Sequence, residues 1–135
     1  VHPAIEAMRP RGKGQVALMS SVASFLPLPG SPAYAASKAA VRLYGESLRG
    51  ALAPDGIEVS VICPGFVKSR MTASNPYPMP FIMPAAKAAR IIQRGLARNR
   101  ARIAFPWPTY FISWFLGALP PAFTDPLLRH LPKKP

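Results

Sequence analysis

The chain has 135 residues, of which 50% are hydrophobic and 16% are charged. That length suits one small domain, and the apolar content excludes an intrinsically disordered chain. The 18 prolines do not indicate collagen, because no Gly-X-Y period accompanies them. A single cysteine forms no internal disulfide, so the composition is typical of a globular domain from a reducing compartment.

The net charge is strongly positive. Seventeen Lys and Arg residues against five Asp and Glu residues give +12. Such a charge attracts phosphates, anionic lipids or nucleic acid, and it does not by itself distinguish among them. The chain also begins at Val1 and enters a basic stretch almost at once, so we expect it to be part of a longer protein.

Two short apolar runs predict β-strands. Residues 15 to 21 (QVALMSS) follow a glycine-containing loop, and residues 57 to 63 (IEVSVIC) are rich in β-branched side chains. Between them, apolar spacings of three, four and seven predict a helix from about residue 32 to residue 53. Strand, helix and strand in this order form a βαβ crossover with parallel strands. Two strands do not complete an open sheet, so we expect the others in missing sequence or in another chain.

The second half of the sequence contains an apolar loop, a basic helix and an aromatic tail. Residues 66 to 84 interleave prolines with Met, Tyr and Phe, which is typical of a stiffened loop over a binding site. Residues 85 to 99 predict an amphipathic helix. One ridge of that helix is basic and consists of Lys87, Arg90, Arg94 and Arg98. The tail from residue 101 includes YFISWFLGAL, an apolar stretch too short to span a bilayer.

Polar and special residues converge at one edge of the predicted sheet. In open parallel sheets the ligand crevice lies outside the carboxyl ends of the strands. The first strand ends at Ser20 and Ser21, and the second ends at residues 63 to 65 (CPG). Tyr34 and Lys38 open the intervening helix and, being four residues apart, project from the same face. We therefore predict that the side chains of Ser21, Tyr34 and Lys38 meet around a common hollow.

These side chains suit proton transfer to or from an alcohol or carbonyl oxygen. A tyrosine with a pKa near 10 is only about one thousandth ionised at neutral pH, which makes it a weak base. A cation one helical turn away typically lowers such a pKa by ~1 to 3 units. Lys38 supplies that cation, and the hydroxyl of Ser21 would orient the reacting oxygen. Hydride transfer would need a borrowed cofactor.

The same residues resemble the short-chain dehydrogenase/reductase family. The pattern comprises SS at 20 and 21, YAASK at 34 to 38 and CPGFV at 63 to 67. Ser21 also precedes the tyrosine by the family's spacing of thirteen residues. A bare Tyr-x-x-x-Lys motif is a weak signal, whereas the whole constellation over residues 14 to 72 is specific.

The resemblance implies a role for each matching residue of the catalytic set. Tyr34 would be the general acid/base, and Ser21 would position and polarise the substrate carbonyl. Lys38 would hold the ribose hydroxyls of the nicotinamide nucleotide and lower the pKa of the tyrosine. Tyr34 and Lys38 would therefore also contact the cofactor, which is NAD or NADP.

The resemblance also implies cofactor contacts after the second strand. The segment that follows Pro64 and Gly65 would face the nicotinamide, with the backbone of Val67 near the carboxamide. Family members often have Thr where Ser69 stands, and the hydroxyl is retained here.

The resemblance covers only the C-terminal half of a typical family member. The implied fold is α/β, the C-terminal part of a Rossmann-like doubly wound parallel sheet, with the N-terminal nucleotide-binding half missing. The glycine-rich fingerprint and the Asn of the catalytic tetrad would lie before Val1. NAD and NADP are not distinguished, because the discriminating residue belongs to that half. We expect this chain alone neither to bind cofactor tightly nor to turn over substrate.

The leading hypothesis is an NAD(P)-dependent oxidoreductase that interconverts an alcohol and a ketone or aldehyde. The Met and aromatic content of residues 66 to 84 suggests an apolar substrate. Residues 1 to 84 would form the catalytic βαβ portion with its substrate loop, and residues 85 to 135 a C-terminal extension of the same domain. The resemblance also implies a homo-oligomer when the protein is intact. We expect a cytoplasmic protein.

A second hypothesis is a non-catalytic membrane-surface or interaction module derived from a truncated reductase. Trp and Tyr beside a cationic helix are ingredients of an interfacial anchor, so peripheral attachment to an anionic membrane surface stays open. A solvated helix face is the simpler interpretation of the basic ridge, and no base-reading module favours nucleic acid. No metal site is predicted, because His2 and His130 lack partners at ligand spacing.

Overall fold

The computed structural model describes residues 1 to 131 and shows a three-stranded parallel sheet with helices on both faces. The strands are β1 (Gly14–Met19), β2 (Ile57–Pro64) and β3 (Arg102–Phe105). The helices are α1 (His2–Met8), α2 (Pro32–Leu52), α3 (Arg70–Ala73), α4 (Ala85–Ala97), α5 (Trp107–Ala118) and α6 (Pro121–Leu128). Short 3₁₀ turns span Arg9–Arg11, Val22–Phe25 and Ala53–Asp55. Residues 132 to 135 of the C-terminal extension lie outside the described residues.

The central strand of the sheet is β2, with β1 and β3 on either side. The crossover from β1 through α2 to β2 is parallel, as the sequence predicts, with Met19 opposite Ile62. The third strand comes from the tail, and its Phe105 lies opposite Pro64. The expectation that every further strand lies outside the chain is therefore wrong, because a four-residue strand within an aromatic tail leaves almost no periodic signal.

One face of the sheet packs against α1 and α2. Ile57 and Val59 of β2 form a buried cluster with Ile5 of α1 and Leu52 of α2. The middle of α2 approaches the sheet closely, because a Cβ atom on Gly45 would come within 3 Å of side chains on β1 and β2. This packing fixes the start of α2 relative to the ends of both strands.

The opposite face of the sheet packs against α4. Ile62, Ile103 and Phe105 form a buried cluster there with Ala88 of α4. The basic ridge on the other side of α4 is exposed, and it consists of Lys87, Arg90, Arg94 and Arg98. The side chains on this ridge therefore point away from the sheet.

Helix α5 lies on the α2 side of the sheet rather than on the α4 side. Its Tyr110 accepts a hydrogen bond from Arg102, whereas α4 contacts the next residue of the strand, Ile103. Consecutive strand residues point to opposite faces, so α4 and α5 are separated by the sheet. The basic ridge and the aromatic helix do not form one surface, contrary to the expectation that they lie side by side. Within residues 1 to 131, no helix combines the length and hydropathy that a bilayer span requires.

Candidate active site

The candidate site lies where the carboxyl ends of β1 and β2 meet. The backbone N–H of Ser20 donates to the carbonyl oxygen of Ile62 at 2.7 Å and continues the ladder one residue past β1. Ser21 follows, and its Oγ lies 3.5 Å from the carbonyl oxygen of Pro64. The parallel register therefore brings Ser21 and the Pro64-Gly65 turn to the same edge of the sheet.

The first two turns of α2 bring Tyr34 and Lys38 to this edge. The Nζ atom of Lys38 lies 5.8 Å from the centre of the Tyr34 ring and donates to the carbonyl oxygen of Met19 at 3.3 Å. The Tyr34 side chain remains 44% exposed. The Lys38 side chain thus lies between the Tyr34 ring and Met19, the last residue of β1. Ser20 and Ser21 follow Met19 directly in the chain.

Ser20 fastens α2 to the end of β1. Its buried hydroxyl donates to the backbone carbonyl of Lys38 at 2.8 Å. The sequence gives no catalytic role to this serine, and the structure shows a structural one. Because Lys38 is bonded to the strand end through both its backbone and its side chain, the orientation of the helix start is fixed at the site.

Ser21 caps the 3₁₀ turn that follows β1. Its Oγ accepts a hydrogen bond from the backbone N–H of Ala23 at 3.1 Å, and its side chain is buried. A serine at this position satisfies a donor that would otherwise be free at the start of the turn. The hydroxyl is therefore held by the backbone, and it donates a long hydrogen bond to the carbonyl oxygen of Pro64 at 3.5 Å.

Phe25, at the end of that turn, lies within a group of charged and aromatic side chains. The guanidinium carbons of Arg42 and Arg102 lie 4.5 and 4.9 Å from its ring centre, and the Tyr110 ring meets it nearly edge-on at 5.2 Å. Glu46 accepts hydrogen bonds from both arginines. The sequence reasoning missed this group, although the Arg42 and Glu46 spacing of four residues on a helix is a detectable signal.

Among residues 1 to 131, the turn after β2 leaves the backbone N–H groups of Phe66 and Val67 without a hydrogen-bond partner. The N–H of Gly65 donates to the carbonyl of Phe105 at 2.7 Å, and the N–H of Lys68 donates to the carbonyl of Met83 at 2.9 Å. Between them, the N–H of Val67 has no hydrogen-bond partner within residues 1 to 131. Ser69 is engaged locally, because its hydroxyl accepts from the N–H of Thr72 and caps α3.

These donors fit a nicotinamide nucleotide. The ammonium group of Lys38 makes one hydrogen bond to the protein, at 3.3 Å, and so keeps donors for hydroxyl ligands. The N–H of Val67 lies at the same edge and suits a carboxamide oxygen. Ser69 fits less directly, since its hydroxyl already serves the cap of α3.

The segment from residue 66 to residue 84 is tied together at its ends. Val67 and Met83 form a parallel bridge, and the Met83 side chain is buried in the cluster under α4. Phe66 packs against Tyr77 with ring centres 6.4 Å apart, while Phe81 is exposed. The segment is thus an anchored loop with apolar side chains on both its inner and outer sides.

An apolar cavity of about 420 Å³ lies between the segment after β1 and the start of α2. It is lined mainly by residues 23 to 29 and by alanines of α2 that include Ala35 and Ala39. Each residue advances a helix by about 100°, so these alanines lie on the flank of α2 beside the face that carries Tyr34. Tyr34 is not among the residues that line the cavity.

Cys63 is fully buried at the end of β2. Burial raises the pKa of this thiol above its ordinary value, although a hydrogen bond involving Ser20 and the charge of Arg102 act in the opposite direction. The thiol is therefore protonated at neutral pH and unsuited to act as a nucleophile.

Comparisons with known proteins identify the family of the chain. The family described as short chain dehydrogenase matches residues 1 to 78, and the chain belongs to this family. An uncharacterized oxidoreductase from Myxococcus xanthus is 40% identical over 121 residues, which make up 90% of this chain and 48% of that protein. The chain spans about half the length of the curated relatives it matches.

Solved structures share the fold. A short chain dehydrogenase from Burkholderia cenocepacia in complex with NADP superposes with a TM-score of 0.74 at 24% identity, over 92% of this chain and 52% of that one. A short-chain dehydrogenase from Sphingobium yanoikuyae in complex with NADPH gives a TM-score of 0.70 at 18% identity, over 97% and 51%. The three-stranded sheet is thus part of a Rossmann-like doubly wound fold.

Proposed function

We propose that this chain is the catalytic half of an NAD(P)-dependent oxidoreductase that interconverts an alcohol and a ketone or aldehyde. The observation that supports the proposal is the position of Lys38 between the Tyr34 ring and Met19, the last residue of β1 and two residues before Ser21 in the chain. The oxidoreductase names of its relatives and their membership of the same family support the class of reaction.

Three side chains divide the work of the reaction. In the reducing direction, the phenol of Tyr34 donates its proton to the substrate oxygen while the hydroxyl of Ser21 donates a hydrogen bond to the same oxygen. In the oxidising direction, the tyrosine takes the proton back from the alcohol. Lys38 lies beside the phenol, with its Nζ 5.8 Å from the centre of the Tyr34 ring.

The cofactor of the proposal is NAD or NADP. When bound, the nicotinamide supplies or accepts the hydride. Lys38 and Tyr34 would hold the ribose, Pro64, Gly65 and the segment after them would face the nicotinamide, and the backbone N–H of Val67 would lie near the carboxamide. Ser69 joins this set in the proposal through its hydroxyl. The nicotinamide nucleotides named with the two solved relatives support this choice of cofactor class.

The proposed substrate is an apolar carbonyl compound or alcohol. The anchored loop from residue 66 to residue 84 supplies Met and aromatic side chains beside the site. We further propose that residues 1 to 84 form the catalytic portion and residues 85 to 135 an extension of the same domain. The intact enzyme is a cytoplasmic homo-oligomer in this proposal, supported by Leu43 and Tyr44, which leave an apolar face of α2 exposed.

The decisive test is a substitution in a completed enzyme, in which this chain follows the N-terminal half of the Myxococcus xanthus relative. Tyr34→Phe removes the acidic proton and keeps the ring, so kcat should fall by about 10²-fold to 10⁴-fold with apolar ketones. Oxidation of NADH or NADPH measures the rate, and equilibrium titration should show nearly unchanged cofactor affinity, because the ring and Lys38 remain.

A matched control stands on the same helix. Tyr44→Phe removes an exposed hydroxyl ten residues further along α2 and should leave kcat unchanged. Equal rates for the Tyr34→Phe enzyme and the unmodified enzyme would overturn the proposal.

A further inference from the structure

The hydroxyl of Ser21 is held by backbone groups of the turn that follows it. It caps the Val22–Phe25 turn by accepting from the N–H of Ala23 at 3.1 Å. Within residues 1 to 131, its other hydrogen bond is the long one to the carbonyl oxygen of Pro64. Because both partners are backbone groups, the position of the hydroxyl depends on the backbone of the turn.

The ring of Phe25 anchors the other end of that turn. The guanidinium groups of Arg42 from α2 and Arg102 from β3 both lie over this ring. The ring of Tyr110 from α5 meets it nearly edge-on. The face of an aromatic ring carries partial negative charge and attracts cations, and edge-to-face contact between two rings is favourable. Phe25 therefore joins the turn to three other elements, and we call Arg42, Arg102 and Tyr110 the Phe25 clamp.

Glu46 fixes the two arginines of the Phe25 clamp. Its carboxylate accepts hydrogen bonds from both, and Arg102 also donates to the hydroxyl of Tyr110 at 3.0 Å. The side chains of Arg42, Arg102 and Glu46 are only 17%, 30% and 27% exposed. Because the carboxylate orients both guanidinium groups in a partly desolvated setting, they hold the ring in one position.

The backbone at the end of the turn is held as well. Arg42 donates to the carbonyl oxygen of Ser24 at 3.4 Å, and the carbonyl of Phe25 lies so close to Gly117 of α5 that a Cβ atom would not fit there. A hydrogen bond of 3.0 Å from the N–H of Ser24 to the carbonyl oxygen of Ser21 closes the turn. A closed turn of four residues has little freedom to absorb a shift at one end, so a displacement of Phe25 moves Ser21.

We propose that Phe25 is a positioning residue of the candidate active site, which fixes the turn that sets the Ser21 hydroxyl against the substrate oxygen. The inference rests on the function proposed above, in which that hydroxyl binds the reacting oxygen. It gives β3 and α5 a part in catalysis through side chains that touch neither substrate nor cofactor. A misplacement of about 1 Å in an active site lowers the rate by up to about 10²-fold, so such indirect contacts have a measurable effect.

Hydrogen exchange in the chain itself measures whether the clamp holds the turn. The N–H groups of Ala23 and Ser24 both bond to Ser21, so their exchange rates report the cap. Phe25→Leu keeps an apolar side chain but removes the ring face that the cations contact. Both N–H groups should then exchange at least about tenfold faster. The N–H of Val61, which is bonded within the sheet, should change less and so separates local loosening from global unfolding.

Two further variants keep this test decisive. Phe25→Tyr retains the ring face and should keep the exchange rates close to those of the unmodified chain. Arg42→Lys retains the positive charge but loses the planar group that lies over the ring, so it should accelerate exchange in the same direction as Phe25→Leu. Circular dichroism checks that each variant is folded, and Arg42→Lys replaces Phe25→Leu if the latter does not fold.

A double-mutant cycle in the completed enzyme tests whether Phe25 acts through Ser21. Phe25→Leu should lower kcat about tenfold and leave the affinity for NADH or NADPH nearly unchanged. In a Ser21→Ala enzyme the same substitution should have little further effect, because no hydroxyl remains to be positioned. A residue that matters only for folding would lower kcat equally in both backgrounds. Phe123→Leu, at a position of α6 that is 74% exposed, is the control and should leave kcat unchanged.

Two results would overturn the proposal. The first is unchanged exchange of Ala23 and Ser24 in a folded Phe25→Leu or Arg42→Lys chain. The second is an equal loss of kcat from Phe25→Leu with and without the Ser21 hydroxyl. Failure of the proposed function shows separately, as full activity of the Tyr34→Phe enzyme, and the exchange rates then still decide whether the clamp holds the turn.

Discussion

A Cβ atom on Gly117 of α5 would overlap the backbone carbonyl oxygen of Phe25, so α5 and the turn after β1 meet backbone to backbone. Ser21 caps that turn, and its hydroxyl is the one proposed to orient the substrate. Helix α5 therefore packs against the segment that positions this hydroxyl. We predict that Gly117→Ala lowers the free energy of unfolding by about 1 to 3 kcal/mol, because neither backbone yields as a flexible side chain would. Urea unfolding of the chain measures the change.

The control for this prediction is Gly50→Ala in α2. No atom outside the local helix lies within 4 Å of the Cβ that this substitution adds. Alanine should therefore raise the free energy of unfolding, by up to about 1 kcal/mol, through helix propensity alone. Equal effects at the two glycines would show that the contact with Phe25 is unimportant.

We predict that Ser20 contributes to stability and that Ser21 contributes to catalysis. Ser20→Ala removes the buried hydrogen bond to the carbonyl of Lys38 and should lower the free energy of unfolding by about 1 kcal/mol. The completed enzyme should keep most of its kcat, because Ser21 remains. Ser47→Ala, at an exposed position of α2, serves as the control for stability. A Ser20→Ala enzyme with full stability and no activity would contradict this assignment.

Glu46 links α2 to β3 and should contribute measurably to stability. Its carboxylate accepts from the Nε of Arg102 at 2.8 Å and from Arg42 at 3.3 Å, and all three side chains are mostly buried. Glu46→Gln keeps the size but weakens these charge-assisted bonds, so we predict a loss of about 1 to 3 kcal/mol in urea unfolding.

The exposed pair of Arg9 and Asp55 provides the comparison. Solvent screens this pair, so Asp55→Asn should leave the unfolding midpoint unchanged. The prediction for Glu46 fails if both substitutions leave the midpoint where it was.

Cys63 should make the chain less stable in alkali. Burial raises the pKa of the folded-state thiol above 9.0, whereas the unfolded-state thiol ionises at its ordinary pKa. The unfolded chain therefore loses its proton first as pH rises. The stabilising contribution is complete below the unfolded-state pKa and is lost as pH rises through the folded-state pKa.

Unfolding followed at about pH 8 and about pH 10 tests this dependence. The unmodified chain should lose more stability across this interval than Cys63→Ala, which lacks the thiol and retains the other titrating groups. Identical losses in the two proteins would contradict the prediction. Iodoacetamide should also label the thiol slowly until urea unfolds the chain.

The sequence predicts the βαβ unit well because its signals are local. A β-branched run, a helical period and a Pro-Asp-Gly turn each lie within a few residues, and the observed β1, α2 and β2 match the predicted ranges closely. The spacing of Ser21, Tyr34 and Lys38 also belongs to that unit. Parallel pairing brings the ends of β1 and β2 to one edge of the sheet, and the contacts of Lys38 with Met19 and Ser20 bring the start of α2 to the same edge.

Other features depend on contacts between distant parts of the chain. No period relates Gly117 to Phe25, and the tight approach of their backbones emerges only when β3 brings α5 over the turn. The same limit applies to Arg102, whose role depends on Glu46 of another element. The sequence also suggests that the basic and aromatic helices share a surface, because alternation along β3 was not available to separate them.

The bridge between Val67 and Met83 determines which part of the loop beside the site can vary in sequence. Val67 and Met83 pair with each other and pack in the core. The fifteen residues between them are not held in place by the sheet. Changes at these positions leave the buried contacts of the sheet in place. Grafting the loop between family members is therefore a direct test of its proposed role in substrate selectivity.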